Sequence, residues 1–230
     1  MLAGSKDAAG TAFSEALIPV DPNAHYELSG FFMSEEGTAL VYLGFDCYDA
    51  DERRIGSVQV NPIPGTETEL REDAKNGDKV LKIKNGSAWA FDPEWTLSYG
   101  VVAFDVDASG AYGDLPNRKL SPMGITAIRQ IGGQWEVELA NPMGADYPAG
   151  TKVREQKASG AYGWIVGKSG IGSQWVELKG KISGVSTAGL EPGKFWPGTR
   201  FVKVAILNLN REKDESPNVL VDDVVLRLAE

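Results

Sequence analysis

The chain offers few side chains for making or breaking bonds. His25 is its only histidine and Cys47 its only cysteine. These counts remove most Ser-His-Asp and Cys-His schemes, because only one position can supply the imidazole, and they remove any metal site with two histidine ligands. A single cysteine also excludes a disulfide framework and a cysteine-based zinc site. Cys47 lies in the strand-like run 41–48, where we expect a buried thiol.

Carboxylates are the one abundant reactive group, with 32 Asp and Glu residues. Glycoside hydrolysis needs a pair of them about 5–10 Å apart, one with a raised pKa. No spacing in the sequence nominates such a pair. We therefore expect a protein without catalytic residues, and a small carbohydrate-active enzyme is kept as an alternative.

Two groups of aspartates have the oxygen ligands that Ca²⁺ prefers. Asp46, Asp49 and Asp51 lie close together, and Asp222 and Asp223 are adjacent. Their spacing is not that of an EF-hand loop. The competing interpretation is that Asp49 and Asp51 form a turn and that Asp223 faces solvent.

Aromatic side chains are the best candidates for ligand contacts, because a pyranose ring presents an apolar C–H face that stacks on a π face. Tyr162 and Trp164 lie in the glycine-rich segment SGAYGWIVGKSG, and in an extended chain they would face the same side. Trp196 precedes Pro-Gly at the start of a strand-like run, where it is either a core plug or a ligand platform. Trp175 alternates with polar residues and is expected in the core.

The elements that position these residues read as short strands. Glycine and proline interrupt the chain often, and the segments between them alternate apolar and polar residues. The one helix candidate is residues 67–75. Strand runs are predicted at 25–33, 39–48, 174–183, 200–209 and 219–228, with shorter ones at 79–84, 101–106, 125–130 and 135–139.

The shorter strands define a separate region. Residues 66–157 are predicted to be an inserted small β module, because the strands before and after them read as one interrupted sandwich. The expected organisation is one discontinuous β-sandwich, 1–65 with 158–230, carrying this insertion. The fold class predicted from the pattern is therefore all-β.

Composition limits the partners. The net charge is −9, so a phosphate backbone would be repelled and nucleic acid is not expected as a partner. No stretch has the ~18 apolar residues of a membrane span. The first ten residues lack a basic start and an apolar run, and they do not read as a signal peptide.

The outer strands resemble the carbohydrate-binding-module-like jelly rolls, which are galactose-binding-like β-sandwiches. The middle segment resembles a small β module of secreted bacterial and phage surface proteins, in residues 74–89 and 125–153. The pieces that carry the first resemblance are 18–32, 42–55, 175–184, and 195–210 with 218–228.

This resemblance implies a jelly-roll sandwich and a glycan or polysaccharide as partner, at an extracellular or virion surface. The aromatic pattern described above predicts Trp164, Tyr162 and Trp196 as the ligand residues. The resemblance also implies a structural calcium near an acidic residue of the last strand, which selects Asp222 or Asp223. Asp222 and, from the first aspartate group, Asp46 are the predicted metal ligands. The main alternative is a structural or interaction module of a tail-fibre or adhesin-like assembly, with neighbouring domains or a homo-oligomer as partners.

Overall fold

The computed structural model describes residues 10–160, 162–187, 189–209 and 217–229. Most of the N-terminal segment that was assessed as a signal peptide lies outside these residues. Strands make up 47% of the chain and helix 3%, and all the strand pairs are antiparallel. The all-β prediction is confirmed.

The chain divides into two compact units. Unit 1 comprises residues 1–55, 161–186 and 191–230, and unit 2 comprises 56–160 and 187–190. The boundaries predicted from sequence lie at 65/66 and 157/158. The short segment 187–190, which belongs to unit 2, was not predicted.

The described residues of unit 1 form two sheets. Their strands are β1 Gly10–Phe13, β2 Ile18–Pro19, β3 His25–Ser34, β4 Ala39–Tyr48, β5 Arg54–Ile55, β12 Gly163–Ile171, β13 Val176–Ser183, β14 Phe201–Asn208 and β15 Val219–Leu228. One sheet has six strands in the order β1-β14-β4-β12, with β2 on β14 and β5 on β4, and the other has the order β13-β3-β15.

Side-chain alternation explains why these runs form strands. In β4, Val41, Leu43, Phe45 and Cys47 point to one face and are buried, as the two-residue period of a strand requires. The five long runs predicted from sequence are confirmed as β3, β4, β13, β14 and β15. β4 lies between β14 and β12, in the central position that its apolar composition predicted.

Phe195 connects the two sheets of unit 1. Its ring centroid lies 5.9 Å from that of Tyr26 on β3 and 6.1 Å from that of Phe45 on β4. The arrangement is β-sandwich-like, whereas the jelly-roll topology stays a prediction. Chain segments before residue 56 and after residue 160 therefore build the same pair of sheets, β4 with β12 and β14, and β3 with β13 and β15.

Unit 2 contains two three-stranded sheets, β7-β10-β9 and β6-β11-β8, and two short helical turns. Its buried core includes Leu81, Trp89, Phe104 and Val137. The elements are the 3-10 turn Ser57–Gln59, β6 Thr68–Glu69, β7 Val80–Ile83, α1 Thr96–Tyr99, β8 Gly100–Phe104, β9 Ile125–Ile131, β10 Gln134–Leu139 and β11 Lys152–Lys157.

Two local predictions are wrong. The predicted helix at 67–75 does not form, because Thr68–Glu69 is a strand that pairs with β11 and tertiary pairing outweighs a short helical propensity. Trp175 is 47% exposed, because β13 begins only at Val176 and Trp175 lies just before the strand. Leu178 and Ile182 of that strand are buried as predicted.

Candidate functional site

The outer face of the six-stranded sheet carries a cluster of aromatic rings. In β4, Tyr42, Gly44, Asp46 and Tyr48 alternate with the buried residues and so point away from the core. Trp164 of β12 pairs with Gly44, which places it on this same outer face. We call the cluster of Phe13, Tyr42, Tyr162 and Trp164 the aromatic face.

The rings of the aromatic face are in continuous contact. Tyr162 lies 5.4 Å from Phe13 and 5.2 Å from Trp164, and Trp164 lies 5.2 Å from Tyr42. The ring planes are inclined by 60°, 66° and 49° in the same order. Edge-to-face contacts of this kind are favourable for aromatic pairs. The surface they form is contoured rather than flat.

Small residues form the floor beneath these rings. A Cβ added to Gly44 would lie 2.3 Å from the carbonyl oxygen of Gly163 and 2.9 Å from Cε3 of Trp164. The indole therefore lies directly against the backbone of β4. Ala205 of β14 pairs with both Gly44 and Phe13, so the row from Phe13 to Trp164 crosses two small residues.

An ion pair between the exposed Arg54 and the buried Asp46 adjoins the rings. Arg54 donates from Nε to both carboxylate oxygens of Asp46, at 2.7 and 2.9 Å, and Tyr48 donates its hydroxyl to Asp46 at 3.0 Å. The guanidinium carbon lies 5.4 Å from the ring centroid of Tyr162, which is cation–π geometry. Burial, followed by the charge of Asp46, raises the pKa of Tyr48. Asp46 thus orients the cation over the ring.

The three predicted ligand residues do not lie on one face of the six-stranded sheet. Tyr162 and Trp164 lie together on the outer face, as expected from their spacing. Trp196 is 2% exposed, and its Nε1 lies 3.7 Å from where a Cβ of Gly163 would be. Gly163 pairs with the inward-facing Phe45, so Trp196 occupies the core side of the sheet and offers no ring face to solvent.

The two calcium candidates also lie apart. Asp46 is 3% exposed and bound to Arg54, in the six-stranded sheet. Asp222 is exposed on β15 of the other sheet, where it accepts the backbone N–H of Asp223. Within the described ranges no group of three His, Cys, Asp or Glu side chains could hold a metal. A structural calcium stays a prediction without a ligand set at these positions.

Sequence reasoning missed Phe13, Tyr42 and Arg54 as members of the site. Tyr42 and Asp46 share a face by simple alternation along β4, which was a usable signal. Arg54 joins them because β5 folds back on β4 through the turn at Asp49 and Asp51, and that turn was also visible in the sequence. Phe13 joins them only because β1 pairs with β14, and a pairing between such distant segments cannot be read from the local pattern.

Unit 2 contains two fully buried ionisable side chains, Arg154 and Glu155. Arg154 is fully buried and donates to Asp114 at 2.9 Å and to Gln156 at 2.6 Å. Glu155 is also fully buried, and neither of its carboxyl oxygens has a hydrogen-bond partner. Burial raises the pKa of Glu155 to about 7. A raised pKa suits a general acid, but this carboxyl has no access to a substrate.

Comparisons with known proteins add no relative. The scan against protein-family models, the search of curated proteins and the search of solved structures each found no match. Among the described residues, no helix is long and apolar enough to cross a membrane. The chemistry of the site itself must therefore support the functional interpretation.

Proposed function

We propose that the chain is a non-catalytic module that binds a polysaccharide or surface glycan through the aromatic face. The observation that carries this proposal is the gathering of four partly exposed rings on one face, one of which, Tyr162, lies beneath the oriented Arg54 guanidinium. Rings supply the apolar surface for sugar C–H faces, and the polar groups beside them fix hydroxyls. An extracellular or virion surface is the proposed setting, because glycans are presented there.

The inclination of the rings favours one kind of glycan presentation. A flat crystalline surface would contact coplanar rings, whereas neighbouring planes here differ by 49–66°. A contoured set of rings suits a single, twisted polysaccharide chain. The proposed ligand is therefore a soluble or individually exposed chain.

Trp164→Ala tests the proposal by affinity electrophoresis in gels containing members of a glycan panel. Trp175→Ala is the matched control, because Trp175 is exposed on unit 1 but lies outside the aromatic face. We expect about two- to tenfold weaker binding for the first variant, since a stacked aromatic contact contributes about 0.5–1.5 kcal/mol beyond area burial. The control should bind as the parent does. Thermal melting of both variants checks that the fold is intact.

If the parent protein is not retarded by any plant, algal, microbial or host glycan, this proposal is overturned. Binding that Trp164→Ala and Trp175→Ala weaken equally would also overturn it.

A second candidate, a structural or interaction module, is favoured by exposed apolar side chains at the other sheet of unit 1. Phe31 is 40% exposed, Val225 44% and Leu228 66%. Exposed apolar groups of this kind mark contact sites for partners. Light scattering that shows a stable oligomer, together with no affinity for any glycan, would favour this role over sugar binding.

A further inference from the structure

We propose that the glycan recognised by the aromatic face is anionic, carrying carboxylate or sulfate groups; this inference rests on the proposed function above. The strands of the six-stranded sheet carry three cations and one carboxylate. The cations are Arg54, Lys168 and Lys203, and the carboxylate is Asp46. Their net charge of +2 contrasts with −9 for the whole chain.

The single carboxylate does not cancel this charge for a ligand. Asp46 is 3% exposed and already accepts hydrogen bonds from Arg54 and Tyr48. Its negative charge is committed to holding the guanidinium in place. A ligand approaching from solvent therefore meets the lysines and arginine rather than this carboxylate.

Along the strand direction the two lysines lie level with the two ends of the aromatic face, Lys203 at the level of Tyr162 and Lys168 at the level of Tyr42. Lys203 pairs with Asp46, and Lys168 lies between the β12 residues that pair with Leu43 and Val41. The two positions are therefore roughly 13 Å apart along β4. Among the described residues, neither ammonium forms a salt bridge.

This layout matches a polymer with repeated negative charge. Rings between two cationic ends would stack the sugars, while the ammonium groups attract acidic substituents further along the chain. Exposed charges act mainly by long-range attraction that salt screens. The inference therefore requires binding that weakens as salt rises, which stacking alone does not require.

Affinity electrophoresis with three polymers separates the possibilities. Polygalacturonate supplies carboxylates, chondroitin sulfate supplies sulfates with carboxylates, and galactan is the neutral reference. We expect retardation by one or both acidic polymers and little by galactan. Retardation by polygalacturonate shows that carboxylates suffice for binding, and retardation by chondroitin sulfate alone identifies sulfate as the group that is recognised.

Lys203→Gln and Lys168→Gln remove the charge with little change in shape. Each should weaken binding to the acidic polymer by up to about fivefold, the range of an exposed charge pair, and the double variant by more. Lys181→Gln is the matched control, because Lys181 is an exposed lysine on β13 of the other sheet. The control changes the net charge equally and should bind as the parent does.

The outcomes distinguish this inference from the proposed function. Galactan binding equal to that of the acidic polymers, sensitive to Trp164→Ala but not to Lys203→Gln or Lys168→Gln, overturns the anionic preference alone. Equal losses in Lys181→Gln also overturn it, because the charge would then act without regard to position. Absence of binding to every glycan overturns both.

Discussion

At the scale of single residues, Glu155 is an acidic side chain in a fully buried position. It alternates with Arg154 and Gln156 on β11, and it points to the side of Val153, which belongs to the core of unit 2. Burial raises its pKa to about 7; a main-chain contact at Ala90 that falls short of hydrogen-bond geometry, and the charge of Lys157, act in the opposite direction and are weaker. The folded state of unit 2 therefore favours the protonated form of this carboxyl up to about pH 7.

The stability of unit 2 should fall as pH rises from about 4.5 to 7. Between these values the folded carboxyl keeps its proton while the unfolded chain has released it, so the folded state binds more protons. The rise from 4.5 to about 7 corresponds to about 3 kcal/mol, at about 1.4 kcal/mol per pKa unit. Urea unfolding of Glu155→Gln between pH 5 and 8 should lack this decline, because the amide does not ionise.

Glu94→Gln provides the control for that measurement. Glu94 is exposed in unit 2, and its replacement should leave the pH dependence of the parent. A parent protein whose stability is constant over this pH range would contradict the expectation.

At the scale of elements, the approach of β12 to β4 determines the geometry of the aromatic face. The pairing is irregular between Trp164 and Val166 and between Val166 and Ser169. These shifts accompany a strand that brings Tyr162 and Trp164 close above Gly44. The absence of a side chain at Gly44 is what permits the close contact, as it is wherever backbone must approach backbone.

Gly44→Ala should destabilise unit 1 by about 1–3 kcal/mol, the usual cost of overpacking. The new Cβ would lie 2.3 Å from the oxygen of Gly163 and 2.8 Å from Cα of Trp164, so β12 itself would have to move. Chemical denaturation measures the loss, and tryptophan fluorescence reports the displaced indole. Gly167→Ala on the neighbouring strand β12 meets no atom within 4 Å and should cost far less. Equal effects of the two substitutions would show that the contact at Gly44 is unimportant.

At the scale of the whole molecule, the chain forms two compact units. The second unit has a core of its own, which includes Leu70, Ile83, Val102 and Leu139. The first has separate buried residues on its two sheets, including Phe32, Phe45 and Val202. Units with separate cores have the means to unfold separately.

Calorimetry should therefore resolve two unfolding transitions. Glu155→Gln should alter the pH dependence of one transition, and Gly44→Ala should lower the temperature of the other. Each variant thereby assigns one transition to its unit. A single transition that both variants move as a whole would contradict this expectation.

Short-range pattern determined much of this protein. Alternation along residues 25–33, 39–48, 174–183, 200–209 and 219–228 indicated the long strands, because burying one face of a sheet imposes a two-residue period. Gly132 and Gly133 lie between the predicted runs 125–130 and 135–139, and they form the β9–β10 turn with positive φ angles of 55° and 78°. The spacing of Tyr162 and Trp164 predicted that they share a face. Strand signals were weak at β1 and in glycine-rich β12, and these elements were not predicted.

Only the tertiary structure decided which residues meet. Strand order brings Phe13 of β1 and Arg54 of β5 to Tyr162, although these residues are far apart along the chain. The same pairing sends Trp196 to the core side and commits Asp46 to Arg54 rather than to a metal. Local sequence carries the period of a strand but not the identity of its neighbours, because pairing depends on how distant faces bury one another.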